Sequence, residues 1–415
     1  MVSGVTPRAS VSLSPCSSTD ASQAVPKAEV ARVRIPVLDG LRGIAILFVM
    51  VYHFWLYGVA LGPTLWERVY SHAAGVGWVG VDLFFVLSGF LITGILYDSR
   101  SDPHYYRVFY ARRTVRIFPL YYAFLTLFCG IVPMALGLLH HPELVPIHDS
   151  TTAKLFAWSY TVNWYEGFKG FSVVSASLRH FWSLSVEEQF YLAWPFLVLT
   201  LTRRRLMALC GFLMVLAFLV RIICLRLHLP DAAYTWTLCR MDSLAIGAIV
   251  ALAARNPRDW QVVVNWAGRL TLPALSLIVP LMALQDLGTQ FVSEQFVLSS
   301  LNYSLFGIFF GGCLVTAMCA CEKSLTQRFV SWPFLRFFGK YSYCLYICHL
   351  PLIVIAAKVG LHSDRLTKVL GNKFVAIITV NGVAFLIAIA FALASWHLFE
   401  KHWLRLKDLP FLQRT

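Results

Sequence analysis

Arg42 and His53 stand eleven residues apart in the stretch LDGLRGIAILFVMVYHFW (38–55). At about 100° per residue, eleven helical steps return to within roughly 20° of the starting direction. On one helix, guanidinium and imidazole therefore share a face, with His53 about 16 Å farther along. A neutral imidazole, with an ordinary pKa of about 6.5, suits proton abstraction near neutral pH. The competing role is structural: an interhelical hydrogen bond that only holds helices together.

Three more stretches carry chemistry of this kind. RHFWSLSVEEQFYLAWP (179–195) sets His180 and Glu187 seven residues apart on one face, with Glu188 adjacent. Such carboxylates can take or orient a proton, or can form a salt bridge to Arg240 or Arg179. GKYSYCLYICHLP (339–351) places His349 one turn after Tyr346 and two turns after Ser342, with Pro351 predicting a kink. His349 then either stabilises the kink or joins the chemistry. YYRVFYARRTVRIFPLYY (105–122) gathers Arg107, Arg112, Arg113 and Arg116, with Arg113 and Arg116 one turn apart. The arginine fork suits phosphate oxygens, although an orientation signal with headgroup contacts explains many such loops. Asp82, Ser88, Gly89 and Gly94 in DLFFVLSGFLITG (82–94), and Arg240 and Asp242 in LCRMDSLAIG (238–247), complete the polar set.

All of these groups sit in an apolar chain. Of 415 residues, 58% are hydrophobic and 13% charged, with a mean hydropathy of +0.66. Soluble domains carry about twice that charge, so the composition excludes a soluble enzyme, a disordered chain and a secreted disulfide scaffold. A polytopic membrane protein remains. The cysteines inside apolar runs (Cys129, Cys210, Cys313, Cys319, Cys344, Cys348) read as small hydrophobes, with no metal-ligand spacing, and no metal site is expected.

Apolar runs of about twenty residues recur near 43–62, 76–97, 117–139, 181–201, 206–225, 236–254, 264–284, 301–320, 339–358 and 374–399. An eleventh run, 153–166, is short and polar. If it does not cross and the N-terminus is cytoplasmic, 23 of the 35 Lys and Arg residues fall inside or at inner helix ends. The positive-inside rule favours that arrangement: an all-α bundle of about ten transmembrane helices with both termini cytoplasmic. Residues 1–36, without the apolar segment and cleavage site of a signal peptide, are expected to form a cytoplasmic tail, 37–405 the membrane domain, and 406–415 a second tail. The net charge of +14 lies in the short loops, so a bilayer rather than a nucleic acid is the expected partner. The run 285–300 and the loop 140–180 are expected to shape an outer mouth.

A charge inside a span costs roughly 2.5–3.5 kcal/mol on insertion scales, so each buried group asks for a reason. Arginines at one rim, a mid-span histidine and carboxylates beyond it describe a polar path. The path suits either proton-coupled transport or a group transfer between sides.

The sequence also resembles a known family. Arg42 and His53 at their spacing, SGF at 88–90, RRTVRIFPLYY at 112–122, FWSLSVEEQFY at 181–191, RMDSLAIG at 240–247 and YSYCLYICHLP at 341–351 are similar, in order, to motifs of the acyltransferase-3 family. The resemblance covers about residues 36–405. It implies a plasma-membrane O-acyltransferase with acyl-CoA, usually acetyl-CoA, as co-substrate and no bound cofactor. It further implies a carbohydrate, lipid or small-molecule acceptor, His53 as the catalytic histidine paired with Arg42, and Arg113 and Arg116 at the CoA end; Arg42, Arg112, Arg113 and Arg116 are together expected to bind the acyl-CoA phosphates. On this reading neutral His53 is the general base, and Glu187 or Glu188 orients it. Asp82, Ser88, His180, Arg240, Asp242 and His349 are supporting polar groups. Direct transfer and an acyl-histidine intermediate both remain open, and a proton-coupled secondary transporter is the competing function.

Overall fold

A computed structural model describes residues 36–58, 64–141, 149–284, 296–321 and 323–408, together with 144, 145 and 147. The tail at 1–35, residues 285–295 of the run expected at the mouth, and 409–415 lie outside the described residues. Among the described residues every regular element is helical. Ten long helices organise the molecule: α1 Pro36–Gly58, α2 Gly80–Asp98, α3 Tyr105–Thr126, α4 Phe181–Thr200, α5 Arg203–Arg226, α6 Thr237–Ala253, α7 Pro257–Leu284, α8 Phe296–Cys319, α9 Pro333–Lys358 and α10 Lys373–Ser395.

Among the described residues, nine stretches are long and apolar enough to cross a bilayer. The expected run 181–201 folds as the twenty-residue α4, but it is not one of the nine. Its Glu187, Glu188 and Gln189 dilute its apolar content, and they point into the bundle rather than to lipid. Among the described residues, seven of the ten helices (α1, α3, α5, α7, α8, α9 and α10) also begin earlier than the apolar runs do. Polar residues start them: Thr202 and Asn372 cap α5 and α10, accepting from Arg205 and Val375 N–H, and Pro333 occupies the first turn of α9. Hydropathy marks the lipid-facing middle of a helix and misses such ends. The run 153–166 divides into Thr151–Trp158 and Val162–Lys169, separated at Tyr160, whose φ of 53° is left-handed. Each piece is about 12 Å long, too short to cross.

Close backbone contact fixes the pair that carries the site. A Cβ on Gly43 would stand 1.9 Å from the Leu335 carbonyl, and one on Gly339 would stand 1.7 Å from that of Asp39. α1 and α9 therefore meet glycine to backbone, a mode of association available where lipid offers no hydrophobic driving force. α2 and α6 meet the same way at Gly89 and Gly247. Gly94 differs, because its open side faces the Arg255 guanidinium.

A buried ionic lattice ties the other side of the bundle. Arg240 on α6 pairs with Asp82 on α2 at 2.6 Å, and Ser243 donates to the same carboxylate at 2.9 Å. Arg221 on α5 pairs with Asp242 at 2.8 Å, and both bond Ser304 on α8. Arg240 also stacks among Phe85, Trp182, Tyr234 and Tyr303. Removed from water, these charges are tolerable only because each has a partner. The salt bridge from Glu187 or Glu188 to Arg240 considered from sequence does not form, since Asp82 occupies that guanidinium.

Candidate active site

The polar residues of the sequence gather around two cavities that share a wall. The first is lined by Arg42, Arg113 and Arg116 together with Ser88, Glu187, Glu188 and Tyr191. Three helices deliver the arginines and carboxylates here: α1, α3 and α4. Arg113 and Arg116 reach it together because residues three apart on a helix neighbour one another. Arg112, expected alongside them, is absent from the lining; one residue from Arg113, it is rotated by about 100°. Glu187 is held inside the cavity wall. Its Oε1 accepts from the Ser88 hydroxyl at 2.6 Å, and the Tyr191 hydroxyl lies 3.2 Å from both Glu187 Oε2 and Ser88 Oγ. The Arg113 guanidinium sits 5.2 Å over the Tyr191 ring.

The second cavity contains His53 and His180, with Arg179 and the aromatic walls Trp78, Trp182, Tyr234 and Phe171. Phe171, Arg179 and His180 come from the 140–180 segment. The three histidines form one cluster, with ring centroids 4.9 Å apart for His53 and His349, 5.1 Å for His180 and His349, and 6.3 Å for His53 and His180.

Their protonation pattern follows from what surrounds them. His349 Nδ1 lies 2.9 Å from the carbonyls of both Leu345 and Tyr346. Carbonyls only accept, so that nitrogen bears the hydrogen. In the neutral ring Nε2 is then an acceptor, and its partner at 3.0 Å is His53 Nδ1. His53 must donate there, which leaves its own Nε2 with a bare lone pair. His180 is set by a different device. Pro351 has no N–H for the Ile347 carbonyl four residues earlier, and His180 Nε2 donates to that carbonyl at 3.3 Å. The proline expected to kink α9 thus also orients a histidine at the turn before α4.

Two expectations need correction. Arg42 and His53 do lie along one helix, yet Arg42 lines the first cavity and His53 the second. The orienting partner of His53 is His349, not Glu187 or Glu188, because the bonds of Glu187 run to Ser88 and Tyr191 in the arginine-lined cavity. His180 and Glu187 are divided likewise, one to each cavity. Asp82, Arg240 and Asp242, expected as supporting groups, line neither cavity and are held in the ionic lattice. Sequence reasoning missed Arg221, although an arginine within the apolar run FLVRIICLR (218–226) carried the same signal as the others.

Comparison with known proteins identifies the family. The family model for the acyltransferase-3 "acyltransferase domain" matches residues 35–399. A peptidoglycan O-acetyltransferase OatA of Listeria monocytogenes is 28% identical over 350 residues, 79% of this chain and 51% of its own length. The O-acetyltransferase OatA of Staphylococcus aureus is 30% identical over 348 residues, 77% of this chain and 51% of its own. The putative peptidoglycan O-acetyltransferase YrhL of Bacillus subtilis is 31% identical over 358 residues, 78% of this chain and 49% of its own. The chain spans about half the length of these curated relatives. No solved structure matches it. The chain belongs to the acyltransferase-3 family.

Proposed function

We propose that this acyltransferase-3 chain is a membrane O-acetyltransferase that carries an acetyl group from acetyl-CoA to a hydroxyl of a cell-surface glycan. The named activity of its relatives supports the reaction class. The observation that carries the mechanism is the bare Nε2 of His53, set by His349, in an aromatic-walled cavity adjoining an arginine-lined one. With both termini cytoplasmic, as the distribution of basic residues favours, the arginine-lined cavity receives the donor and the histidine-lined cavity the acceptor.

Arg42, Arg113 and Arg116 bind CoA phosphates by charge-assisted hydrogen bonds. Arg112 is left to headgroup contacts. The pantetheine arm brings the thioester toward His53. His53 Nε2 takes the proton of the acceptor hydroxyl as its oxygen attacks the thioester carbonyl carbon. The C–O bond forms, the C–S bond breaks, and the imidazolium returns its proton to the departing sulfur, so CoA leaves as the thiol. Through these steps His53 Nδ1–H stays on His349, which fixes the tautomer and the ring. The walls Trp78, Trp182 and Tyr234 offer apolar faces to a sugar ring.

The test is reconstitution in liposomes with radiolabelled acetyl-CoA and peptidoglycan fragments or a lipid-linked sugar as acceptor. Label covalently on the glycan, lost in His53→Ala, is the expected result. Flux of substrate across the bilayer without label transfer would instead establish the transporter.

A further inference from the structure

The two cavities touch at a single aromatic side chain. Tyr346 lines both, as does Val81 beside it, and the ring stands 6.1 Å from Phe84 on the arginine side and 5.3 Å from His180 on the histidine side. Its hydroxyl is pinned at two points of a single turn. It donates to the His180 carbonyl at 2.9 Å and is hydrogen-bonded by the hydroxyl of Ser183. Ser183 lines the first cavity and His180 the second. The side chain is buried, and its pins come from α4 and the residue that precedes it rather than from its own helix.

We propose that Tyr346 is the partition between donor and acceptor cavities, and that its pinned ring restricts the transferred group to a short acyl chain. This rests on the acyl-CoA reading above. A thioester approaching His53 from the arginine side must pass the edge of this ring. An acetyl group adds only a methyl beyond the carbonyl, whereas each further methylene must displace a ring held by two hydrogen bonds. In a tight apolar passage one methylene changes discrimination by about tenfold or more. The Tyr346 backbone carbonyl meanwhile accepts from His349 Nδ1. The ring can therefore be altered without touching the bond that sets the tautomer of His53.

The experiment uses the full chain in liposomes with a glycan acceptor and equal concentrations of acetyl-, propionyl- and butyryl-CoA, the products being weighed by mass spectrometry. The wild type is expected to favour acetyl. Tyr346→Ala should raise the butyryl-to-acetyl product ratio about tenfold or more. Tyr346→Phe, which keeps the ring and loses both pins, and Ser183→Ala, which loses one, should raise it by smaller steps in that order. If Tyr346→Ala does not fold, Tyr346→Phe and Ser183→Ala decide. An unchanged ratio in folded variants that still transfer acetyl overturns the partition alone. Failure of the wild type to transfer from any acyl-CoA, with acetylation from another donor intact, overturns the donor reading and the partition with it.

Discussion

His349 on α9 holds His53 on α1 through a single 3.0 Å hydrogen bond, although 296 residues separate them along the chain. Because His349 Nδ1 is engaged by its own helix, the direction of that bond is determined, and the free lone pair belongs to His53 Nε2.

Removing either ring separates the two roles. His53→Ala should lower acetyl transfer by about 10²–10⁴-fold, the usual worth of a general base, with acetyl-CoA binding intact. His349→Phe should lower kcat with little change in KM for acetyl-CoA and alter the pH profile of kcat. His349→Gln, whose amide oxygen can again accept from His53, should restore part of the rate. Steady-state kinetics across pH with all three variants makes the comparison.

The arginine-lined cavity should respond in binding rather than in chemistry. A hydrogen bond to a charged group is worth about 1.5–3 kcal/mol, so Arg113→Ala or Arg116→Ala should each weaken acetyl-CoA binding about ten- to a hundredfold. Arg112→Ala, outside the cavity lining, should leave it nearly unchanged. Equilibrium binding of labelled acetyl-CoA distinguishes the three.

The ionic lattice should behave as a unit. Asp82→Asn leaves the fully buried Arg240 guanidinium without its carboxylate partner, a change that costs about 3–5 kcal/mol in buried pairs. Replacing both, as Asp82→Leu with Arg240→Met, should recover much of the stability. Thermal unfolding of the purified single and double variants measures both effects.

Glu166, on Val162–Lys169 outside the spanning helices, is fully buried, and neither carboxylate oxygen has a hydrogen-bond partner among the described residues. Burial pushes its carboxyl well above the usual carboxylate range. The folded chain therefore binds this proton more tightly than the unfolded chain does. The associated stability is fully present below pH of about 4.5 and is lost as pH rises toward the folded value. Glu166→Gln should flatten that decline and be more stable than the wild type on the alkaline side. The melting temperature measured from pH 4 to 9 (about five units) tests the sign.

Much of the site was legible because buried polarity is conspicuous in an apolar chain. Arg42, His53, Glu187, His349 and Arg240 each interrupt a hydrophobic run, and the membrane makes each interruption costly. The spacing of Arg113 and Arg116 correctly placed them on one face. What spacing could not supply was the partner. Glu187 and His53 seemed a natural pair by chemistry, yet Ser88 and Tyr191 claim the carboxylate and His349 the imidazole.

The one-dimensional pattern by itself determined that the chain is a helical membrane bundle, which runs form its helices, and which side chains must be satisfied away from water. Hydropathy and helical period are local properties, so they can be read along the chain. Tertiary structure alone decided that Arg42 and His53 open into separate cavities, that Tyr346 stands between them, and that Pro351 frees a carbonyl for His180. Those outcomes depend on how closely α1 approaches α9 at Gly43 and Gly339, and on which rotations then bring faces together. Such contacts join residues hundreds of positions apart, and no local period encodes them.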